Sequence, residues 1–238
     1  MSDPYTGVRP LQCRNGDDPS EPLKSMDFSS RLFPLAGMLG SGLFVTVFTV
    51  EGWLRPGYSA RQMFVSELSL GPRGWVQIAN FMTTGVLLLI FALWVRAAFL
   101  RRRWSVVGPF LLALTALGLL LSGPLVMDPA STPRAAMTLH SRLHWTIGGL
   151  FVFLLVPVTC VVFYRSFTHR PGWASFRVWT LAEALLTGAV LVTFSVGPTR
   201  PPAPPGPWNV WNGALQRAIL VPYMVWLFTL ALRLRRRG

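Results

Sequence analysis

Six long apolar stretches constrain this chain more than any other feature of its sequence. A helix needs about 20 apolar residues to cross a bilayer core of about 30 Å, and each stretch approaches that length. The stretches cover 32–54, 75–98, 106–126, 143–164, 178–196 and 214–232. The sequence therefore predicts an all-α fold, a polytopic transmembrane helix bundle with six spans.

The composition favours a membrane domain over an ordinary soluble one. Hydrophobic residues make up 52% of the 238 residues and charged residues only 13%, against about 25% charged residues in a soluble domain. Residues 1–30 are polar and show no hydrophobic periodicity, so we predict a disordered cytoplasmic tail there. Residues 31–238 form the predicted six-helix transmembrane domain.

The positive charge of the chain is placed as in a membrane protein. The formal net charge is +13, and most basic side chains stand at the ends of apolar stretches. Such flanks set orientation and bind anionic headgroups, and they are poorly placed to follow a nucleic-acid duplex. Arginines cluster in 96–103, 165–177 and 233–237, which predicts cytoplasmic locations for these segments and both termini. We expect a multi-pass protein of the cell membrane with membrane lipids, and no nucleic acid, as partners.

Several features inside or beside the spans predict local structure. Segment 55–74 holds Met63, Phe64 and other apolar residues, and we expect it to pack back on the helix ends as a short interfacial helix. Pro157 and Pro222 fall inside spans four and six, where neighbouring helices can satisfy the carbonyl groups that proline frees. We therefore predict local kinks at these prolines and no breaks.

Polar side chains gather at the opposite, extracytoplasmic ends of the spans. They are Glu67, Asp128, His140, His144, Gln216 and Arg217. His140 and His144 are four residues apart, so a helix would place both on one face. A histidine pair with a carboxylate can hold a divalent metal, or one histidine can act as a general base. Alternatively, these groups satisfy one another and the loop backbones where the helices meet water.

Glu183 differs from the other carboxylates because it lies inside the fifth span. An exposed charge at that depth costs about 3 kcal/mol, so the side chain must face the bundle interior and be paired there, or be protonated. Thr180 and Thr187 are candidate partners on the same helix. Structural pairing and proton handling remain open as roles.

These patterns define the candidate site residues. The candidate catalytic residues are Glu67, Asp128, His140, His144 and Glu183, and the candidate substrate-binding residues are Gln216 and Arg217. A metal, if one binds, would be held by His140, His144 and Asp128, but the spacing identifies no metal and no other cofactor. Since the connection between spans three and four is short, we expect Asp128 within hydrogen-bond or shared-metal reach of one histidine, with Glu67 beside them.

One stretch, SELSLGPRGWVQIANFMTTG at 66–85, resembles the domain-of-unknown-function 998 family of prokaryotic six-helix membrane proteins. The resemblance continues through MDP (127–129), TLHSRLH (138–144), RPGWASF (170–176) and LQR (215–217), and covers about 32–237. It implies a six-helix bundle in which the six polar residues of the outer face are recurring positions. It implies no activity, and Glu183 departs from the small or hydroxyl residue expected at its position.

Two functional hypotheses of different class remain open. The leading one is an accessory membrane protein that binds a lipid or a protein partner through its outer face, although the sequence identifies no protein partner. The alternative is a membrane-embedded enzyme that acts on a lipidic or isoprenoid substrate by acid–base chemistry. In that case Glu183 or Asp128 would supply a proton, and aromatic faces would stabilise positive charge.

Overall fold

The computed structural model describes residues 28–98, 104–168, 170, 172–196 and 209–236. The predicted tail lies outside the described residues up to position 27, and its last three residues, from Phe28, already belong to a helix. The arginine cluster 101–103 also lies outside the described residues.

The described residues are helical and contain no strand. The α-helices are α1 (Phe28–Leu54), α2 (Gly74–Ala98), α3 (Trp104–Ser122), α4 (Leu139–Ile147), α5 (Leu155–Phe167), α6 (Ala174–Val196) and α7 (Asn212–Arg235). A π-helix, Gly148–Leu154, joins α4 to α5 without a break. Short 3₁₀ helices occupy Val65–Ser69, Arg134–Ala136 and Asn209–Trp211. The predicted all-α bundle is confirmed.

The predicted spans correspond to apolar helices. Within the described residues, five helical segments are long and apolar enough to cross a membrane, namely Leu32–Leu54, Gly74–Arg96, Leu139–Phe167, Ala174–Phe194 and Asn212–Arg235. The third predicted span is a shorter apolar helix, Val106–Ser122, close to the lower limit of about 17 residues. It ends before the predicted Val126 because Gly123 and Pro124 follow Ser122. A proline disfavours the helical conformation of the residue that precedes it.

The helices pack side by side in a closed ring. In this ring α1 contacts α2 and α7, α2 contacts α3, α3 contacts α5, and α6 contacts both α5 and α7. Short connections make sequence neighbours antiparallel. The ends of α1 and α3 and the starts of α2, α4 and α7 therefore lie together at one end of the bundle. We call it the buried-turn end, after the buried 3₁₀ helix Val65–Ser69 that packs there. The other is the arginine-rich end, and its cytoplasmic location stays a prediction.

The outer surface of the bundle carries many exposed apolar side chains. Leu39, Leu93, Val178 and Leu185 are each more than half exposed, whereas Phe44 and other large residues are fully buried between helices. A soluble protein rarely exposes apolar area on this scale. Such a surface is suited to contact with lipid chains and not with water, so the chain is a multi-pass membrane protein.

The helix that contains Pro157 includes the π-helix just before it, and the kinks expected at Pro157 and Pro222 stay predictions. A proline ring clashes with the carbonyl group four residues earlier, here that of Phe153, which lies within the π-helix. The wider π turn accommodates the ring and keeps the helix continuous. By contrast, α7 runs through Pro222 as an uninterrupted α-helix.

Candidate functional site

The 3₁₀ helix Val65–Ser69, called the buried turn below, lies in the mouth of the bundle between α1, α2 and α7. All of its residues are buried. The short helix expected in segment 55–74 thus exists, but it is enclosed by the helix ends and does not lie on their surface. Buried backbone N–H and C=O groups need partners, and surrounding side chains supply them.

Glu67 uses both of its carboxylate oxygens for backbone groups. Its Oε2 accepts a hydrogen bond from the Phe64 N–H at 2.8 Å. Its Oε1 accepts one from the Ala130 N–H at 3.4 Å. Since only 8% of the residue is exposed, these bonds form away from bulk water. Glu67 therefore fixes the buried turn and ties the loop after α3 to it.

Two side chains from neighbouring segments complete the buried turn. The side-chain oxygen of Gln216, at the start of α7, accepts a hydrogen bond from the Val65 N–H at 2.6 Å. The Arg55 guanidinium, just after α1, donates to the carbonyl oxygens of Glu67 and Leu68 at 2.9 and 3.0 Å. Both ends of the turn are thereby anchored to spanning helices.

Arg217 anchors the preceding loop. Its guanidinium donates to the carbonyl oxygens of Ala60 and Met63 at 2.8 and 3.0 Å, and also to the Tyr58 hydroxyl. Burial raises the pKa of the Tyr58 phenol, while Arg217 opposes that rise. The phenol therefore keeps its proton and donates it to the Phe64 carbonyl oxygen at 2.9 Å. Arg217 and Gln216, predicted to bind substrate, both bind the chain's own backbone.

Asp128 positions the start of α4. Its carboxylate accepts hydrogen bonds from the Thr138 N–H at 2.7 Å and from the Thr138 hydroxyl at 3.1 Å. Thr138 is the N-cap of α4, and its hydroxyl oxygen accepts from the Ser141 N–H. The Asp128 N–H in turn donates to the Ser141 hydroxyl oxygen at 3.0 Å. This reciprocal cap sets the direction in which α4 enters the bundle.

The structure separates the two histidines of α4. His140 is exposed, whereas His144 is 7% exposed. Helical spacing gives them similar directions, but His140 lies one turn farther out, beyond the packed ends of the neighbouring helices. Among the described residues, no three His, Cys, Asp or Glu side chains are close enough to hold a metal ion. The hydrogen bonds of Asp128 go to Thr138 and Ser141 and not to a histidine.

His144 makes a hydrogen bond with each ring nitrogen. Its Nδ1 lies 2.6 Å from the Leu125 carbonyl oxygen. Its Nε2 lies 3.0 Å from the Ser66 hydroxyl oxygen. Because a carbonyl oxygen only accepts, Nδ1 must carry a hydrogen, and in the neutral ring Nε2 then accepts the Ser66 O–H. Ser66 is the residue of the buried turn that faces a histidine.

An apolar cavity of about 150 Å³ adjoins this pair. Ser66, His144 and Gln216 supply its polar lining. The remaining lining residues are apolar or aromatic, namely Phe64, Met127, Trp145, Gly148, Gly149, Phe153, Leu191 and Phe194. An apolar pocket with a few convergent polar groups is the usual form of a small-molecule site.

The π-helix shapes one wall of the cavity. Gly148 and Gly149 begin it, and a Cβ atom at either position would have no neighbour within 4 Å. Short π segments occur often at functional sites because they displace a helix wall locally. The indole N–H of Trp145, one turn away, is buried and has no hydrogen-bond partner within the described part of the chain. Trp145 is also one of the residues that line the cavity.

Glu183 lies apart from the cavity, between the helices of the bundle. It is 3% exposed, and its Oε1 has no hydrogen-bond partner in the described segments. The hydroxyl of Thr180 donates to the Phe176 carbonyl oxygen and that of Thr187 to the backbone oxygen of Glu183. Neither predicted partner therefore donates to the carboxylate itself.

Sequence reasoning missed Ser66 and Trp145. Ser66 directly follows the apolar residues Met63–Val65 of segment 55–74 and precedes Glu67. Trp145 lies near the start of the predicted fourth span, where tryptophan commonly serves as an interfacial anchor. The adjacent glycines Gly148 and Gly149, which precede Pro157, were the sequence feature that could have indicated a displaced helix wall.

Comparison with known proteins gives a family and no activity. A family model described as a protein of unknown function (DUF998) matches residues 38–233 and confirms the resemblance seen at 66–85. No curated protein and no solved structure matches the chain.

Replacement of Glu67 by alanine should destabilise the bundle. It would leave the buried Phe64 N–H and the Ala130 N–H without acceptors, and the loss of a charge-assisted hydrogen bond costs about 2 kcal/mol. We expect a lower thermal unfolding midpoint in detergent, with no change for the exposed His140→Ala. An unchanged midpoint for Glu67→Ala would show that the carboxylate does not support the buried turn.

Substitutions of Glu183 should separate shape from charge. Glu183→Gln keeps a neutral hydrogen-bonding group of the same size, whereas Glu183→Lys places a cation inside the bundle at a cost of about 3 kcal/mol. We expect Gln to preserve the yield of monodisperse protein and Lys to abolish it, as measured by size-exclusion chromatography. Equal yields for both variants would contradict burial of this side chain.

Proposed function

This chain belongs to the DUF998 family, and we propose that it is a multi-pass protein of the cell membrane that binds a lipidic molecule in the cavity beside His144. The ligand is a single-chain amphiphile with an uncharged, hydrogen-bonding head. The observation that carries this proposal is an aromatic cavity that ends in the polar group Ser66, His144 and Gln216.

The size of the cavity limits what enters it. Its volume is about 150 Å³, and a dry apolar cavity of about 150 Å³ in a soluble protein takes one benzene molecule. The head and the first part of one chain would therefore fill it. Gly149 and Leu150 are exposed on the outer face of the π-helix, so the rest of the chain can continue into lipid.

The lining determines the charge of the head. No Asp, Glu, Lys or Arg of the described segments lines the cavity. An ionised head would lose its hydration without gaining a counter-ion, which is costly in an apolar site. A hydroxyl, ester or amide head instead finds the Trp145 N–H and the Gln216 carboxamide as hydrogen-bonding groups.

If the protein is an acid–base enzyme, its reacting groups are not the residues that the sequence suggested. Asp128 binds the N-cap of α4, and neither Asp128 nor Glu183 lines the cavity. The contact that favours an enzyme is the hydrogen bond between His144 and Ser66. It is also compatible with binding alone, since both groups can bond to a polar head.

Photo-crosslinking with a defined probe tests the binding proposal. The probe is a long-chain alkyl alcohol that carries a diazirine near its hydroxyl group, applied to the purified protein in lipid nanodiscs. We expect adducts on the peptides containing 144–153 and 191–194, which line the cavity. Gly148→Leu places a side chain into the open space and should lower this adduct yield at least about tenfold, equal to about 1.4 kcal/mol of binding.

Gly42→Leu is the matched control, because a Cβ atom there also meets nothing within 4 Å but the position lies on α1, away from the cavity. Its adduct yield should equal that of the wild-type protein. An adduct yield for Gly148→Leu equal to that of the wild-type protein would overturn the proposal. So would adducts spread evenly over all lipid-facing helices.

A further inference from the structure

The Ser66–His144 pair has a geometry that ligand binding does not require. We propose that Ser66 is a nucleophile activated by His144 and that it cleaves the ester of a single-chain amphiphile held in the cavity. This inference rests on the proposed function, since the substrate must occupy the same cavity. The reaction class is acyl transfer to water.

The hydrogen bonds of His144 suit a general base. Its Nε2 lies 3.0 Å from the Ser66 Oγ, within the range for direct proton transfer. Its Nδ1 donates to the Leu125 carbonyl oxygen at 2.6 Å, which fixes both the tautomer and the ring orientation. Nucleophilic hydroxyl groups in enzymes are arranged in this way, with a base that a third group orients.

Ser66 and His144 are both held in position by hydrogen bonds of the neighbouring residues. Ser66 lies in the buried turn, which the Glu67 carboxylate and the Gln216 carboxamide fix from its two sides. His144 follows the N-cap of α4 that Asp128 holds. The edge of its ring also packs against Phe81, with centroids 6.4 Å apart. Such support keeps the two reacting groups in place before a substrate arrives.

The cavity also offers donors for a developing oxyanion. The Trp145 indole N–H is buried without a partner among the residues described, and the residue lines the cavity. The Gln216 side chain lines it as well, and since its oxygen accepts from the Val65 N–H, its NH₂ group is the donor that it can offer. N–H donors fixed in a site of low polarity stabilise the negative charge of a tetrahedral intermediate.

The proposed reaction needs only an ester and water. The Ser66 Oγ attacks the ester carbonyl carbon while its proton moves to the His144 Nε2. The bond to the leaving alkoxide then breaks, and the Nε2 proton passes to that oxygen, releasing an alcohol and leaving Ser66 acylated. Water attacks the acyl group with Nε2 again as base, and return of the proton to Oγ releases a carboxylic acid. No oxidation or reduction takes place.

Covalent labelling with an alkyl fluorophosphonate tests this proposal. The Ser66 Oγ would displace fluoride from phosphorus, with its proton taken up by His144. On the wild-type protein in nanodiscs we expect one adduct, mapped by peptide mass spectrometry to Ser66. His144→Gln should lower the labelling rate by about 100-fold, the smallest usual contribution of a general base.

Ser69→Ala is the matched control for Ser66→Ala. Ser69 is another buried serine of the same turn, but it does not line the cavity. We expect Ser69→Ala to keep the wild-type labelling rate and Ser66→Ala to lose labelling. A wild-type adduct on any other residue, or no adduct, overturns the proposal without reference to a variant that might fold poorly.

The alcohol probe distinguishes failure of this inference from failure of the binding proposal. Wild-type protein that crosslinks the diazirine alcohol in the cavity but resists the fluorophosphonate would refute the nucleophile and leave binding intact. Wild-type protein that does neither would refute both.

Discussion

The burial of a short segment that is not α-helical, at one end of the bundle, is the constraint on which the rest of this structure depends. Residues 63–69 are buried or half-buried, and their backbone has N–H and C=O groups that an α-helix would have paired. Arg55, Glu67, Gln216 and Arg217 provide those partners. The polar residues that suggested a metal or catalytic cluster are thus mostly used to make this enclosed segment stable.

One pair of polar residues at this end, Ser66 and His144, has a different environment. Ser66 and His144 bond to each other and line the cavity, whereas Glu67 and Asp128 bond to the protein's own backbone. The cavity exists because the π-helix moves the wall between α4 and α5 and because glycine occupies its start. The same device that accommodates a proline inside a span therefore creates room beside a histidine.

The sequence predicts the spans well because the bilayer imposes a length and a composition on each of them. It also predicts which residues gather at the buried-turn end, since chain order alone places Glu67, Asp128 and His144 at helix ends on one side. It does not predict their partners. His140 and His144 have the same type and spacing, and only the depth of the neighbouring segments makes one exposed and the other buried. Ser66 could not be identified from the sequence, because its role depends on a contact with a residue 78 positions further along the chain.

The protonation pattern of His144 is the most direct measure of whether this pair is arranged as described. Nitrogen-15 solid-state NMR of histidine-labelled protein in lipid separates the two neutral tautomers and the imidazolium, and the spectrum of His144→Gln identifies the signal. Burial disfavours the charged imidazolium, and in the neutral ring the hydrogen bond to the Leu125 carbonyl oxygen places the hydrogen on Nδ1 and leaves Nε2 to accept from Ser66. A ring with hydrogen on Nε2 alone would contradict both the placement of His144 and its role beside Ser66.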